Sequence, residues 1–136
     1  MANALYDTGR NWFLTGGATA GWGLDTRLIL SDSADYTKDL ANHDFLNDVA
    51  AGARVATSGA MSGKTQVAGV ADAADVTFTS VSGDPSEELI CYYHTGNEAT
   101  AQLIFNLDTA TGLPVTPGGG DIQVQWDNGA NKIFKL

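Results

Sequence analysis

Residues 121–136 read Asp121-Ile122-Gln123-Val124-Gln125-Trp126-Asp127-Asn128-Gly129-Ala130-Asn131-Lys132-Ile133-Phe134-Lys135-Leu136. Apolar and polar side chains alternate from Ile122 to Asp127, which is typical of a strand with one buried face. The Asp-Asn-Gly sequence that follows tolerates the positive φ of a tight turn, and residues 132–136 then return as a second strand. We therefore predict a C-terminal hairpin. Because a lone hairpin is marginal in water, upstream strands should pair with it.

Four upstream segments carry a strand signal, and they span residues 26–31, 75–81, 88–94 and 101–107. The first is the most continuously apolar, which favours a central position in a sheet. The last two are joined by a loop of hairpin length. Since no helix-length segment separates the strong strands after Val76, parallel crossovers are not expected. The predicted fold class is mainly β, an antiparallel β-sandwich or barrel-like meander with a short N-terminal helix or arm.

The N-terminal segment carries a helical stripe in which apolar residues recur at spacings of three and four. Its members are Ala2, Leu5, Tyr6, Gly9, Trp12 and Phe13. Such a short helix is marginal alone and should form only when docked. We favour packing on its own sheet, and the alternative is an arm that reaches a neighbouring subunit. The chain is predicted to be a single domain over residues 1–136, with a helix or arm and a glycine-rich loop in 1–22 and a β body in 23–136.

Composition limits the possible partners. The chain has 136 residues and a net charge of −9, so its surface should repel nucleic acid and acidic membrane headgroups. A single cysteine excludes an internal disulfide. The N-terminus lacks a basic region followed by an apolar run, and no segment approaches the roughly eighteen apolar residues of a membrane span. We expect a soluble protein that is made in a cytoplasm and has no nucleic-acid or membrane partner.

No motif in the sequence supports catalysis or metal binding. Cys91 and His94 are three residues apart on a predicted strand, so their side chains should point to opposite faces. The segment Gly59 to Thr65 has one residue too few for a phosphate-binding loop, and we interpret Lys64 as a surface residue on a turn. The acidic segment 31–48 lacks the spacing and the glycine of a calcium loop. A pair of catalytic carboxylates that meets only in the fold stays open, but we predict no enzyme activity, no cofactor and no metal.

Several aromatic residues have no obvious place in the alternating core pattern, and protein interfaces favour such residues. The candidate interface residues are Leu5, Tyr6, Trp12, Phe13, Trp22, Tyr36 and Tyr93. A small acidic β domain with spare aromatic side chains is best interpreted as a part that binds protein.

Motifs along almost the whole chain resemble a family of small structural proteins of tailed phages. They are the opening Met1 to Asp7 with Arg10 and Phe13, Leu28-Ile29-Leu30 with Tyr36-Thr37, 43–49, 72–78, 93–96, Ala99-Thr100 with Leu103-Ile104, and 119–127. One departure is the segment 15–23, which is longer and richer in glycine than in the family. The family is associated with capsid decoration, or cement, proteins. No catalytic residues are carried over.

The resemblance implies a virion protein on the capsid exterior that binds the lattice of the major capsid protein and stabilises the head. Closed symmetry at three-fold lattice positions favours a homotrimer. One alternative is a tail or head-to-tail component, and another is a carbohydrate-binding module or adhesin that uses Trp22 or Tyr93 as a stacking platform. If the N-terminal helix is the anchor, deletion of residues 1–14 should leave a folded body that no longer attaches to particles.

Overall fold

The computed structural model describes residues 3–136, whose strands form three antiparallel sheets beside one α-helix. The strands are β1 (Ala4–Leu5), β2 (Thr26–Ser31), β3 (Arg54–Thr57), β4 (Thr65–Val67), β5 (Val70–Asp72), β6 (Val76–Phe78), β7 (Glu88–Tyr93), β8 (Leu103–Leu107), β9 (Ile122–Val124) and β10 (Phe134–Lys135). The helix α1 spans Asp7–Thr15, and two short 3₁₀ helices span Leu46–Asp48 and Ala51–Ala53. The predicted mainly β, sandwich-like class is confirmed.

The largest sheet has the strand order β1-β8-β7-β2-β3 and is buried on both faces. Leu28 and Leu30 of β2 point into one core cluster, whereas Ile29 between them points into a second cluster on the opposite face. This double burial explains why β2 is continuously apolar instead of alternating. As predicted, β2 lies inside the sheet, between β3 and β7. The hairpin predicted for residues 88–94 and 101–107 is confirmed as the pairing of β7 with β8.

Different layers cover the two faces of this sheet. A three-stranded sheet of order β10-β5-β4 and a two-stranded sheet of β6 and β9 contribute to the cluster on the Leu28 face. The irregular segment 32–53 covers the Ile29 face and supplies Tyr36, Leu46 and Val49. The body is therefore sandwich-like on one side only, and its second core lies under a long loop.

The helix α1 docks against strand β8 of its own chain. The backbone N–H of Tyr6 donates to the carbonyl oxygen of Ile104 at 3.0 Å, and β1 pairs with β8. A Cβ added at Gly9 would lie 2.8 Å from the carbonyl oxygens of Leu103 and Ile104, so only glycine allows this close approach. Packing on its own sheet is confirmed, and a contact of this segment with a neighbouring subunit stays a prediction.

Two details of the N-terminal prediction also change. Leu5 lies in β1 and not on the helical stripe, while Ala2 lies outside the described residues. Deletion of residues 1–14 would remove an edge strand and the fully buried Tyr6. Because the segment is part of the core, we instead expect this deletion to destabilise the body.

The two predicted C-terminal strands exist, but the hairpin between them is wrong. Strand β9 pairs with β6 through Val76↔Val124 and Phe78↔Ile122, and β10 pairs with β5. Alternation in the sequence identifies the buried face of a strand but not its partner. Val76 and Phe78 of β6 are 8% and 2% exposed, so pairing with β6 places β9 beside buried apolar side chains. The residues of β10 are not buried to this extent.

Candidate functional site

Three of the seven candidate interface residues are core residues. Trp22 and Tyr36 are 5% and 4% exposed, so the interpretation of them as spare surface aromatics is wrong, and Tyr6, which was predicted on the helical stripe, is 0% exposed. The other four, Leu5, Trp12, Phe13 and Tyr93, are partly buried and pack against the cluster on the Leu28 face. Their role in an interface stays a prediction.

A buried hydrogen-bond chain explains why two tyrosines lie inside the protein. The hydroxyl groups of Tyr6 and Tyr36 are 2.8 Å apart, and the Tyr36 hydroxyl is 2.9 Å from Nδ1 of His43. Burial raises the pKa of Tyr6 to about 12, and burial also raises the pKa of Tyr36. Both phenols therefore stay neutral at physiological pH. They fasten the loop 32–53 to the N-terminal segment.

A second polar cluster centres on Lys38, whose side chain is 2% exposed. Its Nζ donates to Oδ2 of Asp108 at 2.6 Å and to Oδ1 of Asn106 at 3.0 Å, and it lies 3.9 Å from Oε1 of Glu88. Burial raises the pKa of Glu88. Burial also opposes ionisation of Asp108, but the hydrogen bonds from Lys38 and Thr109 and the charge of Lys38 together outweigh burial, so the pKa of Asp108 is lowered. The cluster lines a cavity of about 350 Å³.

This cluster is suited to holding the fold together and not to chemistry. The ammonium group of Lys38 is held by Asp108 and Asn106, so it is not free to attack a substrate. Removing one member would leave an uncompensated buried charge, which is strongly destabilising. We assign to it the structural role of joining the loop 32–53 to strands β7 and β8.

The acidic residues of segment 31–48 mostly support turns. Asp48 accepts the backbone N–H groups of Asp44 and Phe45, and Asp39 accepts those of Ala41 and Asn42. Within residues 3–136, Asp32, Asp35 and Asp84 have carboxylate oxygens within 4.8 Å of one another. However, Oδ1 of Asp32 already accepts the backbone N–H of Ala34 at 2.7 Å. Local hydrogen bonding therefore accounts for much of the acidic clustering.

Cys91 lies in the core with 0% exposure, and burial raises the pKa of its thiol. The thiol is therefore neutral and shielded from solvent, neither of which suits a nucleophile. Lys64, interpreted from sequence as a surface residue, is instead partly buried and donates to the carbonyl oxygen of Leu24. Burial lowers its pKa. The earlier interpretation of Lys64 is wrong because its side chain reaches back over β2.

A mainly apolar groove of about 170 Å³ lies between α1, the β4–β5 hairpin and β10. We name it the apolar groove, and its walls include Phe13, Trp22, Gln66, Val70, Phe134 and Leu136. The Phe134 ring contacts those of Trp22 and Phe13 at centroid distances of 5.3 and 5.7 Å. These contacts make the wall rigid, and the Trp22 indole is fixed further by its hydrogen bond to the carbonyl oxygen of Asp72.

Among the described residues, three large apolar side chains are well exposed, one in the groove and two that are chain neighbours of groove residues. Leu14, Val67 and Leu136 are 84%, 71% and 60% exposed. Leu136 lines the groove, Leu14 follows Phe13 at the end of α1, and Val67 follows Gln66 in β4. Exposed apolar patches of this kind commonly mark interaction sites.

The segments that form the groove are also those that lack acidic side chains. The chain has 16 Asp and Glu residues, yet none lies in 8–24, 49–71 or 128–136. Five of the seven Lys and Arg residues lie in these three segments. Folding brings the three segments together at the groove. The walls of the groove therefore carry no acidic side chain on a chain whose net charge is −9, and the adjacent Asp72 is paired with Lys132.

Sequence reasoning identified Phe13 and Trp22 as interface candidates but missed Val70, Phe134 and Leu136 as parts of the same groove. The uneven distribution of acidic residues along the chain was the signal that could have indicated it. Pairing of β10 with β5, which joins two of the acid-free segments, is visible only in the fold.

Within the described part of the chain, no helix is long and apolar enough to span a membrane. Comparisons with models of known protein families and with curated protein sequences found no match to this chain.

Proposed function

We propose that this chain is a structural protein of a phage virion, a decoration protein that binds the lattice of the major capsid protein and stabilises the head. The observation that carries the proposal is the exposed apolar groove on a body that is otherwise acidic. A groove with rigid aromatic walls suits protein binding, because little side-chain freedom is lost when a partner covers it. The sequence resemblance to small structural proteins of tailed phages supports the same role.

The arrangement of the fold supports a passive binding role. The central sheet is buried on both faces, and the helix is docked on β8 without room for a Cβ at Gly9. Such a body keeps its shape when many copies bind to a lattice. Repeated weak contacts on the lattice together raise the overall binding strength. We propose a homotrimer at three-fold lattice positions, with a binding and not a catalytic role, on the capsid exterior.

The carbohydrate-binding alternative finds less support in the positions of its two aromatic residues. Trp22 is 5% exposed, and the ring of Tyr93 lies 5.4 Å from that of Trp12. Neither ring is a freely exposed platform for a sugar. A tail or head-to-tail component would use the same surface, so copy number separates it from the capsid proposal.

The test is binding of the purified chain to particles from a phage whose copy of the gene has been deleted. We expect saturable co-sedimentation at a simple ratio to the major capsid protein, together with a rise in the temperature at which heads release DNA. Leu136→Glu should weaken binding, because it places a carboxylate in the wall of the groove, whereas Asn97→Glu on the loop between β7 and β8 should leave binding unchanged. Absence of saturable binding to heads by the wild-type chain would refute the proposal.

A further inference from the structure

The apolar groove is bordered by a strand with a free edge. Strand β4 is the outer strand of the order β10-β5-β4, and its three residues are all exposed. The N–H of Ile133 donates to the carbonyl oxygen of Ala71 at 3.2 Å, so the backbone of Ala71 faces β10. Ala71 is the register partner of Gln66. Because such backbone groups alternate in direction, the N–H and C=O of Gln66 point away from β5 toward the open edge.

The hairpin that carries this edge is short and sharply turned. Ala68 and Gly69, between β4 and β5, both have positive φ, at 52° and 78°. Two such residues are what a two-residue hairpin loop of the primed type requires. The turn fixes the register of β4, so Gln66 and Val67 are presented in a defined orientation.

From this geometry we infer that the edge of β4 is where a partner adds a strand. The inferred occupant is an extended segment of the capsid protein with apolar side chains flanked by acidic ones. This inference rests on the proposed function and deepens it. The backbone of the segment bonds to Gln66, and its alternate side chains lie over Val67 and toward the apolar groove. Strand addition of this kind draws affinity from main-chain hydrogen bonds and specificity from side-chain pockets.

The positive charge of Lys135 near this edge indicates which kind of segment binds there. Lys135 of β10 is the register partner of Val70 in β5. Within residues 3–136, it makes no ion pair. Carboxylates on the incoming segment would complement this lysine. A second copy pairing through its own β4 would bring the same acid-free segment and no such carboxylate. The complementarity therefore favours a different protein over self-association.

Two matched pairs of variants test the inference on gene-deleted particles. Gln66→Pro removes the outward N–H and should bind at least tenfold more weakly than Gln66→Ala, which loses the same side chain but keeps that donor. Val67→Glu should bind at least tenfold more weakly than Val67→Lys, because both lose the apolar contact but only the first opposes the acidic segment. Equal affinities within both pairs, in variants with unchanged circular dichroism, would overturn the inference.

Photo-crosslinking then separates failure of this inference from failure of the proposed function. A benzoylphenylalanine placed at position 66, and at position 97 as the control, is irradiated on particles, and the crosslinked peptides are sequenced. A crosslink from position 66 to an acid-flanked apolar segment of the capsid protein supports the inference. Capture from position 97 alone, or of a second copy from position 66, overturns the inference and leaves the decoration role standing. Failure of the wild-type chain to bind particles overturns both.

Discussion

Replacing Gly9 by alanine tests whether α1 is docked on its own sheet. In an isolated helix this change would be stabilising by about 1 kcal/mol, because alanine is the better helix former. In the fold, the new Cβ would lie 2.8 Å from the carbonyl oxygens of both Leu103 and Ile104. Overpacking a core costs about 1–3 kcal/mol, and backbone oxygens cannot rotate away, so the upper part of that range applies. We expect a net destabilisation of about 2 kcal/mol.

Urea unfolding followed by circular dichroism and tryptophan fluorescence measures this difference. Gly52→Ala is the matched control, because its added Cβ meets nothing within 4 Å and its φ is not positive. That control should be neutral or stabilising by up to about 1 kcal/mol. If Gly9→Ala is as stable as the wild type, or more stable, the helix is not packed against β8 as described, and the reasoning fails.

Three further predictions concern buried groups. Lys38→Met should lower the free energy of unfolding in urea by about 3–5 kcal/mol, because it leaves buried carboxylates uncompensated. Lys132→Met, at a more exposed lysine paired with Asp72 at 3.0 Å, should lower it by less than about 1 kcal/mol. Equal losses of stability in the two variants would contradict the burial of Lys38. The lowered pKa of Asp108 gives stability that is present above its unfolded pKa of about 3.9 and is lost as pH falls through the lower folded value. Asp108→Asn should therefore lose less stability than wild type between pH 5 and pH 2, and an unchanged pH slope would refute this. Cys91 should react with a thiol reagent only at the rate of unfolding, since it is 0% exposed and burial raises its pKa; rapid labelling of the native protein would contradict its position.

The central strands could be predicted because their signal is local. β2, β7 and β8 are apolar runs long enough to span a core, and any sheet that includes them must bury them. Residues 26–31 match β2 at both ends. Shorter strands such as β4, with a polar and exposed Thr-Gln-Val sequence, carry no such pattern and were missed.

Strand partners and buried aromatics could not be predicted, because they depend on distant residues. Ile122 to Trp126 alternates as a strand should, but its partner is β6, some fifty residues upstream. From sequence, Tyr36 looks like an unmatched aromatic and Tyr6 like a member of a helical stripe, and only folding brings their hydroxyl groups to 2.8 Å from each other. A polar tip that finds such a partner allows a tyrosine to be fully buried.

The candidate site was only partly predictable for the same reason. Phe13 and Trp22 stood out as aromatic residues near a glycine-rich loop, but their neighbours in the groove come from segments 66–71 and 134–136. The absence of acidic residues from all three segments is visible in the sequence. Its meaning emerges only when the fold shows that these segments share one surface.

The most direct test of the proposed role is quantitative mass spectrometry of purified particles from the source phage. The quantity to determine is the number of copies of this chain relative to the major capsid protein. The decoration proposal predicts a ratio near one or a simple fraction of it. A trace ratio would place the chain in the tail or head-to-tail region instead, and absence from the particles would contradict a virion role.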